Sequence, residues 1–443
     1  MKMRDDPTQA PTAPRANGEA APKPGRSVRH FFRNLGPGLI TGAADDDPSG
    51  ISTYSTVGAA YGFGMLWTAW FSLPLMTAVQ LMCARIGLVS GRGLAGVLRR
   101  YYSRRLLWFA CALLLVANTV NIAADLGGMA EAAGLLTGWP SIWFIPPFTG
   151  AVLLLLIFAS YRVMARVFKW LTLVLFAYVG AAFLAHPRWG EVLRATVSPR
   201  LSFDGDYLMA LVAILGTTIS PYLFFWQAAQ EVEEEKAEGK TTVGQRMGAT
   251  REKLRDARDD VVTGMSVSVV VFYFIILTTG ATLYQAGQRD IQTARQAAEA
   301  LRPLAGDLAY LLFSLGLIGT GFLGVPVLAG SAAYAVAEAG AWRAGMNERP
   351  LMAKKFYAVI AFSMLVGMAL DYAGINAIKM LFWAAVVNGL LAPPLVVIIL
   401  WVCNDRRVMG EHRNGRLLNV AGVFTAAVMS AAALAMLIAW WTR

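Results

Sequence analysis

Residues 41–53 read TGAADDDPSGIST: three consecutive carboxylates, Asp45, Asp46 and Asp47, then Pro48, Ser49 and Gly50. The flanking residues, from about 36 to 61, are otherwise apolar enough to cross a bilayer. An aspartate at the centre of a spanning helix costs roughly 2.5–3.5 kcal/mol on insertion scales. Three of them beside a helix breaker need a compensating purpose. The residue before a proline is pushed out of the α region, so a helix should stop at Asp47. Gly50 supplies permissive backbone for the restart. Unwinding at bilayer depth frees backbone carbonyls, which is tolerable only where they are buried in protein or line a wet cavity. Carbonyl and carboxylate oxygens side by side suit a hard cation such as Mg²⁺, Ca²⁺ or Mn²⁺. The bland alternative is a kink whose aspartates cap neighbouring helices or pair with an arginine, but no arginine lies at comparable depth in the other spans.

Of the 443 residues, 56% are hydrophobic and 15% charged, against about 25% charged in soluble domains. This is the composition of a polytopic α-helical membrane protein. The basic excess, 39 Lys and Arg against 28 Asp and Glu, fits Lys- and Arg-rich cytoplasmic loops rather than nucleic-acid binding. Cys83, Cys111 and Cys403 have neither paired nor metal-ligand spacing and read as small core residues. Residues 1–29 are Pro/Ala-rich, polar and without an apolar stretch, as expected of a disordered cytoplasmic tail rather than a signal peptide.

Hydropathy places about eleven spans, near 36–61, 65–89, 107–135, 141–160, 163–185, 207–230, 259–285, 307–336, 353–371, 374–402 and 417–441. Basic loops (GRGLAGVLRRYYSRR from 91, Arg162 to Lys169, Arg343 to Lys355, NDRRVMGEHRNGR from 404) all fall on the side of the N-terminus. The opposite side has the nearly uncharged LTGWPS and DYAGINAIK. The expected orientation is N-terminus in and C-terminus out, in the cell inner (plasma) membrane. The polar segment 231–260 divides residues 30–443 into two sets of five spans, about 36–185 and 207–402, with 417–441 as an added helix. A second break recurs in ILGTTISPYLFFWQ, with Pro221 in the place of Pro48. An odd number of spans per half gives the halves opposite topology, and matching interruptions in such repeats point to a transporter's substrate site.

GPGLITGAADDDPSG resembles the first-helix signature of the Nramp divalent-metal transporters, a Gly-Pro-Gly lead followed by Asp-Pro-Gly-Asn. TTISPYLFFWQ stands where that family has Ala-x-x-Met-Pro-His, NIAADLGGMAEAAGLLTG resembles its third-span Asp-Leu-Ala-Glu segment, and TREKLRDARDDVV its basic lead into the seventh span. The resemblance spans roughly residues 30–440. It implies an all-α LeuT-like fold, a 5+5 inverted repeat with broken helices 1 and 6 and eleven spans, and import of divalent cations by alternating access. Asp47 falls on the family's metal-binding aspartate, Gly50 on its asparagine, Ser220 on its methionine and Thr217 on the residue whose carbonyl binds metal. A soft sulfur ligand thereby becomes a hydroxyl, and an oxygen-only, roomier, more acidic pocket with Asp45 and Asp46 nearby suits hydrated Mg²⁺. This matches the Nramp-related magnesium transporter branch, which also carries Mn²⁺.

In proton-coupled members a third-span glutamate and a sixth-span histidine form the proton route; here those positions are Gly128 and Tyr222, and tyrosine's ordinary pKa is about 10. His30, His186 and His412 lie outside or at the ends of spans. The expectation is uptake without proton coupling, a divalent ion gaining about 4.6 kcal/mol per 100 mV of inward-negative potential. Asp45 and Asp46 are about 100° apart on a helix and cannot face one cavity together. Thr217 and Ser220 have a competing role in bonding back to their own helix. Asn388, in the tenth span where the family has a glutamine, is a further ligand candidate. Asn118 and Asn121 read as interhelical hydrogen-bonding groups; Asp125, followed by Glu131, is a pathway or gate candidate with a basic partner as its alternative. Gln227 lines the inner pathway or bonds across helices, as Gln230 does. GTGFLGVPVLAG from 319 reads as helix packing and the acidic run Glu231 to Glu235 as a solvated face. No cofactor is expected, the cation being substrate, and no obligate protein partner is evident. The rivals are a proton-coupled Mn²⁺, transition-metal or other metal transporter of the same family and an amino-acid or organic-solute carrier, whose carboxylate three aspartates would repel. An enzyme is not expected, because no nucleophile–base pair, zinc motif or phosphate loop appears at a span end.

Overall fold

The structure is a computed structural model that describes residues 36–158 and 173–442. Among these residues it is built from helices alone. The first span is broken as Pro48 dictates: α1 (Pro37–Asp45) and α2 (Pro48–Tyr61) are separated by Asp46 and Asp47. The chain continues through α3 (Trp67–Ser90), α4 (Leu94–Tyr101), α5 (Arg104–Thr137), α6 (Ile145–Phe158), α7 (Ala177–Leu184) and α8 (Trp189–Val197). The second break separates α9 (Gly205–Thr218) from α10 (Pro221–Ala237). The remaining long helices are α11 (Arg251–Thr279), α12 (Ala309–Gly340), α13 (Lys354–Asp371), α14 (Ala377–Asn404) and α15 (Arg416–Trp441).

Eight helical segments among the described residues are individually long and apolar enough to cross a membrane. The expected spans missing from that set have local causes. The first is split into two half-helices, and the fifth begins in 163–172, outside the described residues, which leaves a described apolar helix, including α7, too short to qualify. The ninth, α13, carries Lys354, Lys355 and Asp371 within eighteen residues.

Two polar stretches depart from their sequence reading. Residues 94–101, taken as loop, form the amphipathic α4, with Leu94, Ala95, Val97 and Leu98 buried and Arg99 and Arg100 exposed. Glu338 of α12 fixes its start by accepting from the Gly93 and Gly96 amides at 3.0 and 2.8 Å. The acidic run is not a solvated face: α10 extends through it, and Glu231, Glu233 and Glu235 are buried while Glu234 is exposed. Lysines make that burial tolerable, Lys236 at 2.6 Å from Glu233 and Lys240 at 2.6 Å from Glu235.

Small residues set the helix approaches. An added Cβ on Gly42 would lie 2.3 Å from the Gly264 carbonyl oxygen, and one on Gly264 would lie 2.1 Å from that of Gly38, so α1 and α11 touch backbone to backbone. A Cβ on Gly216 would lie 2.1 Å from the Ala385 carbonyl, which seats α9 on α14. Gly321 and Gly330 of the 319–330 stretch meet Met129 and Trp226, in keeping with the packing role read for it. Cys83, Cys111 and Cys403 are buried and free.

Candidate functional site

The two breaks meet. Tyr222, in the first turn of α10, places its hydroxyl 2.9 Å from the Ala44 carbonyl oxygen and 3.1 Å from Asp47 Oδ2. A Cβ on Gly50 would lie 3.1 Å from the Asp45 carbonyl and 3.3 Å from Thr217 Oγ1, so the restart of α2 abuts the end of α9. Asp47 is the N-cap of α2, accepting at 2.7 Å from the Gly50 amide through Oδ1. Proline in the next position has no N–H, which removes one of the unpaired amides of this helix start.

The acidic triplet divides by direction. Asp45 Oδ2 and Asp46 Oδ1 both take the Ser268 hydroxyl of α11, at 2.8 and 3.2 Å, while Asp47 turns toward α10 and α12. All three are closed to solvent, at 0%, 3% and 2% exposure. Asp125 approaches from α5: a Cβ on Gly324 would lie 3.0 Å from Asp47 Cβ and 3.6 Å from Asp125 Oδ2. Both Asp125 oxygens and Asp45 Oδ1 are buried without a hydrogen bond of normal geometry, although the Ser49 amide faces Asp125. Acceptors of this kind are rare in protein interiors because each has lost its water. The basic partner considered for Asp125 is not formed among the described residues.

Other candidates are engaged in the framework. Ser220 caps α10 without a side-chain cap bond; its hydroxyl donates to the Gly216 and Thr217 carbonyls at 2.9 and 2.7 Å. Asn388 and Asn121 exchange amide hydrogen bonds at 2.8 and 3.2 Å, and Asn118 donates to the Leu328 carbonyl at 2.7 Å. Gln227 accepts from Thr41 and donates to Glu231 at 2.9 Å, tying α1 to α10. The short side chain at Gly50 leaves no void, since Tyr54 and Thr217 close in on it. Gly128 faces Leu381, whose Cδ1 would lie 2.9 Å from a Cβ there. Among the described residues, no three His, Cys, Asp or Glu side chains cluster as a metal site. A cation at the breaks would draw on carbonyls, hydroxyls and water as well as carboxylate.

Three contributors escaped the sequence reading. Asp260 accepts from the Gly36, Gly38 and Leu39 amides at 2.9, 2.6 and 3.1 Å, placing a carboxylate on the N-terminus of α1. Ser268 holds the end of the same half-helix, and Gly324 makes room for Asp47 and Asp125. Only the Gly-Pro-Gly lead, which exposes helix-start amides, hinted at the first.

Two interrupted helices that meet over buried carboxylates inside a membrane bundle define the class of broken-helix transporters. The chain belongs to the Nramp family, natural resistance-associated macrophage protein-like, which residues 38–439 match. A Caldanaerobacter subterraneus relative named divalent metal cation transporter MntH is 24% identical over 411 residues, covering 91% of this chain and 92% of its own. The protein of that name from Deinococcus radiodurans is 29% identical over 311 residues, 69% of this chain and 68% of its own. Among solved structures, the Eremococcus coleocola manganese transporter superposes with a TM-score of 0.71 at 21% identity, covering 93% of this chain and 86% of that one. Mhp1, a nucleobase-cation-symport-1 transporter, does so at 0.55 and 15%, covering 92% and 93%. The fold is LeuT-like. The protein is a multi-pass membrane transporter and not an enzyme.

Proposed function

We propose that this chain imports divalent cations by alternating access, that hydrated Mg²⁺ is the preferred substrate with Mn²⁺ also carried, and that no proton is coupled to the cycle. The observation that carries this reading is the set of buried oxygens at the junction: Asp47 between two helix breaks, with both Asp125 oxygens and Asp45 Oδ1 buried without a hydrogen bond of normal geometry. A doubly charged ion is the chemistry that compensates such oxygens. Asp47 is the primary ligand, Asp45, Asp46, Thr217, Ser220 and Gly50 are the further candidates, and Asn388 is engaged in its bond with Asn121. The absence of a sulfur side chain at position 220 favours a hard ion over a soft one. Tyr222 and Gly128 stand where a proton route would need titrating groups, and Tyr222 commits its hydroxyl to Ala44 and Asp47. The N-terminus is cytoplasmic and the C-terminus outside, as the basic loops require.

A proton-coupled manganese transporter is the second reading, favoured by the names of the relatives. Proteoliposomes loaded with metal-quenched and pH-sensitive dyes separate the two. Saturable uptake of Mg²⁺ and Mn²⁺ without internal acidification is expected. Uptake confined to Mn²⁺, or a Mg²⁺-elicited proton influx, supports the second reading instead.

A further inference from the structure

On the face that carries residues 91–103, 238–250 and 341–353, a cavity of about 520 Å³ opens between α4, α10 and the end of α12. That is within the range of roughly 300–1,000 Å³ in which small ligands bind. Five cationic side chains line it: Arg92, Arg99, Arg100, Lys236 and Arg246. Two carboxylates share these walls, against the five cationic groups. Glu233 binds Lys236 at 2.6 Å, and Glu338 accepts the Gly93 and Gly96 amides. Glu235, just behind, is held by Lys240 and Lys253.

Arg246 is 5% exposed, and its Nε and Nη1 go to the carbonyls of Gly91, Lys240 and Thr241; Glu233 and Glu235 act on its charge from further off, each already in contact with a lysine. Among the described residues, Arg92, Arg99, Arg100 and Arg246 form no ion pair. A guanidinium withdrawn from water without a contacting anion is costly, and planar forks arranged round a concavity match phosphate oxygens. Loop basicity that only orients a membrane chain does not require burying one arginine or gathering four around one hollow.

We propose that this cavity binds a phosphate-bearing anion, either the headgroup of an anionic lipid at the bilayer edge or a soluble phosphate ester. Because α10 is also the helix that follows the second break, the bound anion clamps the C-terminal end of that helix to α4 and α12. The site is separate from Asp47, and its test does not depend on which cation is carried.

The test uses the full chain purified in neutral detergent at low salt, titrated with inorganic phosphate, pyrophosphate, magnesium-free ATP and short-chain phosphatidylglycerol. Calorimetry and the thermal midpoint are read. Saturable binding that raises the midpoint is expected for at least one probe. The Arg99→Gln, Arg100→Gln double variant should bind that probe about tenfold more weakly while its unliganded midpoint stays put, since both side chains are exposed. Arg92→Gln should weaken binding in the same direction. Response to pyrophosphate or ATP identifies a soluble ligand, and response confined to phosphatidylglycerol identifies a lipid. No saturable response to any probe, or wild-type affinity in the double variant, overturns the proposal.

Discussion

Asp47 carries two separable duties, since one oxygen caps α2 through the Gly50 amide and the other faces Tyr222. Asparagine can keep the cap but not the charge, whereas alanine loses both. Asp47→Asn should therefore hold the thermal midpoint near wild type yet reduce metal uptake to background. Asp47→Ala should lose uptake and also about 1 kcal/mol of stability from the missing cap. Uptake by Asp47→Asn at the wild-type rate would show that the carboxylate is only structural. Asp47 was legible in the sequence because Pro48 follows it and fixes the break locally. Ser268 and Gly324 were not, because each acts on residues about two hundred positions away or more and looks like an ordinary small residue of an apolar span.

At the level of elements, the half-helices were readable from their prolines, but their supports were not. Asp260 shows this: it sits in a charged lead yet is the anchor of α1, more than two hundred residues earlier. Removing it leaves three amides without a partner and withdraws a charge from a helix N-terminus. Asp260→Ala should cost about 2 kcal/mol, seen as a lower thermal midpoint in detergent, with Asp260→Asn recovering part of it. The buried acidic run was misread for a related reason: the lysines that make it tolerable come from α10 itself, from the following loop and from α11, and hydropathy sees only charge. Just past α10, Lys253 holds the Glu238 carboxyl below its ordinary value. A lowered folded value means stability that is complete above about pH 4.3 and lost as pH falls through the lowered value. Its side chain is 53% exposed, so screening keeps the effect small. The midpoint difference between wild type and Glu238→Gln should be constant from about pH 8 to 5 and shrink below that. A difference that grows on acidification contradicts the sign.

For the molecule as a whole, the two sets of spans were legible from their count and from Pro48 and Pro221, because the bilayer imposes a length on every crossing. Closure of the junction was not, because exposure depends on how α2, α9 and α10 fit together. If, as proposed, no proton is coupled to the cycle, the electrical gradient and the concentration difference are the drive. A potassium diffusion potential, negative inside, should speed Mg²⁺ uptake, since about 4.6 kcal/mol per 100 mV acts on each ion. Shifting external pH between 6 and 8 at fixed potential should leave the rate unchanged. Rates that follow the pH gradient instead would place a titrating group in the cycle.

The contact of α1 with α11 has a mechanical corollary. α1 is fastened at its start by Asp260, along its middle by Gly38 and Gly42 against Gly264, and at its end by Ser268. α2 is stitched to α14, where Ser49 donates to the Leu381 carbonyl at 2.9 Å. Neither half can pivot alone without tearing such seams, so each is dragged with its neighbour. α11 braces both halves, since a Cβ on Gly58 of α2 would lie 2.6 Å from the Ile276 carbonyl oxygen. The two-residue link of Asp46 and Asp47 is thus a short joint between two anchored rods, and under the proposed function the cation sits at that joint.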